Sequence, residues 1–207
     1  MFLDGAVVET RLCWSGLFGV ETGNNVKNQW NEAEAAACGD DPLAMRVYSS
    51  RLIGREAALV LHGGGNTSVK APFTDIFGEV SEVLFVKGSG WDLATIEAPG
   101  FAPVRLTVLK KMAQLSALSD PDMVSAQRGA LLDAGAPNPS VEAILHAIIP
   151  FRYVDHSHAD AVVTVSNTPE GEAAIRSIYG DRVLVVPYVM PGFDLARAIW
   201  RMTREVD

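Results

Sequence analysis

The sequence predicts a single mixed α/β domain, and three observations support this prediction. Of the 207 residues, 48% are hydrophobic and 20% are charged, which is typical of a folded globular domain rather than a disordered chain. Apolar residues recur at helical spacing in several segments, and short β-branched runs lie between them. Two of the apolar runs end in glycine-rich stretches, at residues 63–65 and 88–90, so we expect loops at the ends of two strands.

Helices are predicted where apolar residues recur every three or four positions. Pro42 favours a helix start because the N–H that proline lacks has no partner in a first turn. Asp194 has the side chain of a good N-cap, and Gly180 favours the end of the helix before it. The predicted helices cover residues 31–37, 42–54, 105–118, 122–133, 141–149 and 170–179, and a last helix begins at Asp194.

Strands are predicted in the apolar runs that are rich in β-branched residues. The first leads into the glycine stretch at residues 63–65, and the second leads into Lys87-Gly88-Ser89-Gly90. Two neighbouring strand segments surround a pair of histidines at His156 and His158. The predicted strands cover residues 57–61, 80–86, 153–158, 162–165 and 183–186.

Composition excludes several classes of partner. The formal net charge is -8, and the basic residues form no cluster, so nucleic acid is not expected. No apolar stretch approaches the roughly 20 residues that span a bilayer, so no membrane segment is expected. The two cysteines, Cys13 and Cys38, form no CxxC pair and are too few for a disulfide framework, which favours the reducing cytoplasm.

His156 and His158 have the spacing of a metal-binding pair. Residues two apart in a strand project from the same face, and imidazole nitrogen is a preferred ligand of zinc and similar metals. The alternative interpretation is that one of the two histidines is a buried, hydrogen-bonded core residue and the other has no role in a site. Asp155 directly precedes His156, so strand geometry places its side chain on the opposite face.

Glu142 lies at the start of a predicted helix, four residues before His146. Near a metal its carboxylate could act as a general base, although a carboxylate in a first turn often only stabilises the helix dipole. His146 is interpreted as a core residue or as a support for the site.

The loop 63–68 would let an anion approach the backbone closely, or it is only a tight turn. His62 and the glycines after it resemble an esterase oxyanion loop, but the chain has no GxSxG nucleophile motif.

Taken in order, four motifs make the sequence resemble the class II aldolase and adducin family. They are Gly65-Asn66-Thr67-Ser68, Lys87-Gly88-Ser89-Gly90, Pro139-Ser140-Val141-Glu142 and His156-Ser157-His158. The resemblance is strongest to the aldolase part of bifunctional rhamnulose-1-phosphate aldolase and short-chain dehydrogenase proteins. It implies a three-layer α/β/α sandwich with a central, mainly antiparallel sheet over residues 25–207. Residues 1–24 do not resemble the family and are predicted to be an atypical extension, disordered or a misassigned start.

The resemblance also implies the roles of individual residues. His156 and His158 match two zinc ligands, and Glu142 matches the catalytic acid/base. Asn66, Ser89, Gly90 and Ser140 match residues that bind the substrate phosphate, whereas Val141 replaces a second serine. Lys87 departs from the small residue of some relatives, and we expect it to add positive charge to the phosphate pocket. The family's third metal histidine has no match after His158, so we expect a C-terminally truncated domain whose activity is in doubt.

The implied reaction is reversible cleavage of a ketose 1-phosphate into dihydroxyacetone phosphate and an aldehyde, through an enediolate that the metal stabilises. Epimerisation or decarboxylation of a related sugar phosphate uses the same chemistry, and a non-catalytic adducin-like scaffold is the third interpretation. The resemblance implies a homo-oligomer, with a tetramer as the common state. No nicotinamide cofactor is expected, because the dehydrogenase part has no match in this chain.

Overall fold

A four-stranded antiparallel sheet forms the centre of the structure, a computed structural model that describes residues 7–9 and 26–204. The strands are β1 (Val7–Glu9), β2 (Asn66–Thr74), β3 (Val80–Lys87), β4 (Phe101–Arg105), β5 (Tyr153–His156) and β6 (Val183–Val185). The order in the central sheet is β4-β3-β2-β5, and β1 pairs with β6 in a separate antiparallel pair.

Helices cover both faces of the central sheet. The α-helices are α1 (Glu32–Ala37), α2 (Pro42–Gly54), α3 (Leu106–Met112), α4 (Asp120–Gly129), α5 (Ala143–Ile148), α6 (Asp160–Ser166), α7 (Gly171–Tyr179) and α8 (Phe193–Arg204). Short 3-10 turns cover Ala98–Gly100 and Gly180–Arg182. Leu84 and Val86 of β3 pack with α3, α5 and α8, whereas Phe85 packs on the other face with residues of α2. The predicted mixed α/β fold with a central antiparallel sheet is confirmed.

Local signals explain most of the helix starts. Asn31 caps α1 through its side chain, and Asp41 caps α2. The start of α2 at Pro42 is the one that the sequence predicts. The helix predicted to begin at Asp194 begins one residue earlier, so that Asp194 lies in the first turn rather than at the N-cap. Gly180 ends α7 with a φ of 60°, a conformation that glycine adopts without steric cost.

Two predicted strands are wrong. Residues 57–61 form turns that begin at Glu56, whose carbonyl accepts from the N–H groups of Leu59 and Val60. Residues 162–165 belong to α6, because Val162 and Val165 lie three positions apart and pack together against Ile175. Short apolar runs fit both periodicities, and tertiary packing decides between them.

Two strands of the central sheet, β2 and β4, were not predicted, and each contains a proline. Pro103 lies in β4, an edge of the central sheet, where an absent N–H is tolerated. Pro72 lies in β2 beyond the last residue that pairs with β5, so β2 is itself an edge at that point. The extension predicted at residues 1–24 lies outside the described residues except for Val7–Glu9. Among the described residues, no helix is long and apolar enough to cross a membrane.

Candidate active site

The pairing of β2 with β5 brings the first predicted site residues together. Asn66 begins β2 and lies directly opposite His156 at the end of β5. His158 follows two residues later, and its ring centroid lies 4.8 Å from that of His156, with the ring planes tilted by 58°. Both imidazoles therefore lie at one end of the central sheet, close to the start of β2.

Glu142 completes this cluster from the N-cap position of α5. Its Oε2 atom lies 2.9 Å from Nδ1 of His156 and accepts a hydrogen bond of 3.2 Å from Nδ2 of Asn66. Burial alone would raise the pKa of Glu142, but the hydrogen bond to His156, the charges of His156 and His146, and the Asn66 amide together lower it to about 2. Glu142 is consequently a carboxylate at neutral pH, able to accept a proton.

A second polar contact joins β2 and α5 deeper in the core. Ser68 Oγ lies 2.8 Å from Nδ1 of His146, which is fully buried and four residues after Glu142. Burial is the main reason why the pKa of His146 is lowered to about 3, so this imidazole is neutral at physiological pH. Asn66 and Ser68 project from one face of β2. Asn66 contacts Glu142 and Ser68 contacts His146, so two hydrogen bonds link β2 to α5.

Three of the four predicted phosphate residues, Ser89, Gly90 and Ser140, lie in two neighbouring loops. Gly88 bridges Pro139, the N–H of Ser89 donates to the Asn138 carbonyl at 2.9 Å, and the N–H of Ser140 donates to the Lys87 carbonyl at 3.3 Å. These bonds place Ser89 and Gly90 beside Ser140, which also accepts the N–H of Glu142 at 3.2 Å. The Asn66 amide is bonded to Glu142. The parts of Asn66, Ser89, Gly90 and Ser140 in phosphate binding stay predictions.

The glycines before β2 allow the chain to pass close to the histidines. Gly65 has a φ of 69°, and a Cβ there would lie 2.9 Å from the carbonyl oxygen of His156. A Cβ at Gly64 would lie 3.7 Å from Nδ1 of His158. The loop therefore forms one wall of the histidine cluster. The other side of this loop meets Lys87, whose Nζ donates to the Gly63 carbonyl at 3.1 Å.

The two histidines suit part of a divalent-metal site. In proteins a ligating imidazole commonly has its second nitrogen bonded to a carboxylate, which is the arrangement of His156 with Glu142. Catalytic zinc usually takes three protein ligands, and residues 7–9 and 26–204 contain no group of three or more His, Cys, Asp or Glu side chains placed to hold an ion. The donor set therefore fits two positions of a metal site.

Comparison with known sequences identifies the family. The sequence model of the class II aldolase and adducin N-terminal domain matches residues 46–206, a range that includes every element of the site above. The chain belongs to this family.

Two relatives show how this class II aldolase domain occurs elsewhere. The N-terminal class II aldolase domain of a conserved protein from Thermoplasma acidophilum superimposes with a TM-score of 0.76 at 37% identity, covering 87% of this chain and 82% of that domain. The uncharacterized oxidoreductase YuxG of Bacillus subtilis is 38% identical over 174 residues, which are 84% of this chain and 25% of YuxG. The chain thus spans about a quarter of the length of that relative.

An ion pair with one buried member supports the strands of this aldolase domain from the α2 side. Arg46 is 1% exposed, and its guanidinium lies 2.7 Å from Oδ1 of Asp155, which projects away from His156 as the sequence predicts. Arg46 also donates to Ser50 Oγ and to the Ser68 carbonyl. Arg46 therefore ties α2 to both strands of the site. Arg46 was not predicted as a functional residue, although it directly precedes Val47 on a predicted helix.

Lys70 fixes the other end of α5. Its ammonium donates to the carbonyls of His146, Ile149 and Phe151 at 2.9, 2.7 and 2.6 Å. Burial, with a smaller contribution from the charge of Lys110, lowers the pKa of Lys70 to about 8, so the ammonium form predominates at pH 7. Since the last carbonyls of a helix lack partners within it, this contact stabilises the turn that leads from α5 to β5.

Proposed function

We propose that this domain is a metal-dependent aldolase that cleaves a ketose 1-phosphate, such as rhamnulose 1-phosphate, into dihydroxyacetone phosphate and an aldehyde. The observation that carries the proposal is the position of Glu142, which contacts both Asn66 and His156 beside His158. In support of the proposal, Glu142, the two histidines and the loops that contain Ser89 and Ser140 lie near the start of β2 and the ends of β3 and β5.

Glu142 is proposed to move the proton at the carbon beside the substrate carbonyl. Both of its contacts fall on Oε2, which leaves Oε1 as the oxygen that we assign to the proton. In the synthetic direction the carboxylate takes that proton from dihydroxyacetone phosphate. In the cleavage direction the hydroxyl on the aldehyde-forming carbon releases its proton to water as the carbon–carbon bond breaks and leaves the enediolate. Glu142 takes up a proton from water and delivers it to the enediolate carbon.

The remaining residues are proposed to hold the substrate and the metal. Ser89, Gly90 and Ser140 lie side by side and offer hydroxyl and backbone donors to the phosphate. A zinc or other divalent ion held by His156 and His158 would supply a Lewis acid for the carbonyl oxygen. Asn66 keeps Glu142 aimed through the 3.2 Å hydrogen bond, in addition to any contact of its own with substrate.

Proton exchange tests the role of Glu142 without requiring the correct aldehyde. Dihydroxyacetone phosphate would be incubated with the protein and Zn²⁺ in D₂O, and deuterium incorporation would be followed by NMR. We expect Glu142→Gln to slow exchange by at least about 100-fold, the lower range for a general acid–base residue. Glu32→Gln, which alters an exposed carboxylate at the start of α1, is the matched control. Equal exchange by wild type and Glu142→Gln would remove Glu142 from this role.

A screen of ketose 1-phosphates then distinguishes the aldolase from its alternatives. Release of dihydroxyacetone phosphate and an aldehyde is the expected result. Epimerised sugar phosphate would instead indicate an epimerase. Carbon dioxide released from a carboxylated sugar phosphate, added to the screen for this purpose, would indicate a decarboxylase. The absence of both exchange and turnover would indicate a scaffold.

Its cellular setting is also a proposal. We propose a cytoplasmic protein, because Cys38 carries a free thiol and the cysteine content gives no disulfide framework. We also propose a homo-oligomer, with a tetramer as the first state to test by light scattering. The net charge of -8 suits small-molecule chemistry better than binding to nucleic acid.

A further inference from the structure

One face of β2 contacts α5 at three successive points. Asn66 bonds to Glu142 at the N-cap of α5. Ser68 bonds to His146 four residues further along the helix. Lys70 follows on the same face of β2, and its ammonium donates to the carbonyl of His146 and to two carbonyls beyond it. Two residues of a strand span about 6.7 Å and four residues of a helix about 6 Å, so the contacts advance along β2 and α5 in the same direction and by nearly equal distances.

The third point, at Lys70, supplies a donor that the helix itself lacks. Within an α-helix the His146 carbonyl would accept the N–H of the residue four positions later, but that residue is Pro150, which has no N–H. The Lys70 ammonium donates to this carbonyl instead, at 2.9 Å. It also donates to the carbonyls of Ile149 and Phe151 at 2.7 and 2.6 Å. All three N–H donors of the ammonium are therefore used on the segment that connects α5 to β5.

α5 depends on its neighbours for its position, because a helix of six residues is not stable alone. Hydrogen bonds from a charged donor are roughly twice as strong as those between neutral groups, and Lys70 makes three of them. The restraint reaches Glu142 within one turn, since the N–H of His146 donates to the Glu142 carbonyl at 3.0 Å. A displaced α5 would therefore separate Glu142 from His156, whose Nδ1 lies 2.9 Å from the carboxylate.

We propose that Lys70 is a positioning residue, which fixes α5 along β2 and thereby holds the Glu142 carboxylate in place for proton transfer. The proton transfer rests on the proposed aldolase function, whereas the restraint on α5 does not. The ammonium bonds to the opposite end of α5 from Glu142, so its loss should lower the rate of proton transfer more than the affinity for substrate. A displacement of about 1 Å at a reacting group costs up to about 100-fold in rate.

Amide hydrogen exchange tests the restraint in the absence of substrate. Lys70→Met keeps most of the side-chain volume and removes the three N–H donors. We expect the amides of His146 and Ile149 to exchange at least about 10-fold faster in this variant, the effect of losing one hydrogen bond to a charged group. The amide of Ala174 in α7 should exchange as in the wild type. Lys111→Met removes the same charge from an exposed position of α3 and is the matched control.

Deuterium incorporation into dihydroxyacetone phosphate tests the effect on Glu142. We expect Lys70→Met to lower the rate at saturating substrate about 10- to 100-fold and to leave the half-saturating concentration nearly unchanged. Ile175→Ala removes apolar volume from the separate cluster of α7 and β6, so it destabilises the fold without displacing α5 and should retain the wild-type rate. If Lys70→Met folds poorly, Lys70→Gln keeps two N–H donors without the charge and provides the uncharged comparison.

Added amines separate the lost donor from a general defect. Lys70→Ala leaves room beside the three carbonyls for a propylammonium ion, and we expect this ion to raise the rate of deuterium incorporation by Lys70→Ala at least about 10-fold. Tetramethylammonium carries the same charge but no N–H donor, and it should not raise the rate.

Four results would overturn the proposal. These are equal amide exchange of α5 in wild type and Lys70→Met, an unchanged rate of deuterium incorporation in Lys70→Met, a loss of rate in Ile175→Ala equal to that in Lys70→Met, and no greater restoration by propylammonium than by tetramethylammonium. Wild-type protein that incorporates no deuterium would refute the aldolase proposal and the part of Lys70 in proton transfer. Amide exchange would then still decide whether Lys70 restrains α5.

Discussion

Replacement of either member of the Arg46–Asp155 pair should destabilise the domain, but by unequal amounts. The two side chains differ in their access to water, since Arg46 is 1% exposed and Asp155 is 35% exposed. Loss of Asp155 leaves a guanidinium that water cannot reach. Loss of Arg46 leaves a carboxylate that is still partly hydrated. The asymmetry follows because an uncompensated charge costs most where it is most completely desolvated.

The magnitudes follow from the same difference. Removing one partner of a buried pair costs about 3–5 kcal/mol, so we expect Asp155→Asn to cost about 4 kcal/mol. Arg46→Met leaves the more hydrated partner and fills most of the space, so we expect about 2 kcal/mol. The double variant contains no unpaired charge, and its cost should be less than the sum of the two by about 2 kcal/mol.

Urea unfolding followed by tryptophan fluorescence measures these costs. With a slope of about 2 kcal/mol per M, the midpoint should fall by about 2 M for Asp155→Asn and about 1 M for Arg46→Met. The reasoning would be refuted if Arg46→Met were as costly as Asp155→Asn, or if the two effects were additive in the double variant.

Two further predictions concern packing and pH. Gly54→Ala should lower the free energy of unfolding by on the order of 3 kcal/mol, although alanine has the better helix propensity. The reason is that a Cβ at Gly54 would lie 2.1 Å from the backbone nitrogen of Ala94. Unchanged or increased stability in urea would contradict this prediction. For His146, the folded-state pKa of about 3 lies below the ordinary value of 6.5, so its stabilising contribution is complete above pH 6.5 and is lost as the pH falls towards 3. Between pH 6 and 4 the wild type should therefore lose up to about 1.4 kcal/mol per pH unit more than His146→Asn, and equal slopes in the two proteins would be evidence against a buried neutral His146.

The motifs anticipated much of the site because their chemistry is local. His156 and His158 are two residues apart, and a strand ending between them still leaves their rings 4.8 Å apart. Ser89 and Ser140 were predicted to share a function, and backbone pairing between their loops places them together. The strands were less predictable, because the turn at residues 57–61 and the helix at Asp160–Ser166 have apolar runs that resemble strands.

The sequence by itself determined the starts of most helices to within two residues, the glycine loops and the residue types that the proposed chemistry needs, because these depend on neighbours within a few positions. The tertiary structure alone decided which of these residues meet. The pairing of β2 with β5 and the docking of α5 on the sheet direct Asn66 towards Glu142 and Ser68 towards His146. On the opposite face of the same strands, Arg46 contacts Asp155 and the carbonyl of Ser68, which lies 22 residues away in the chain. Burial and the proximity of distant residues set the charge states at the site, and both arise only when the layers of the fold pack together.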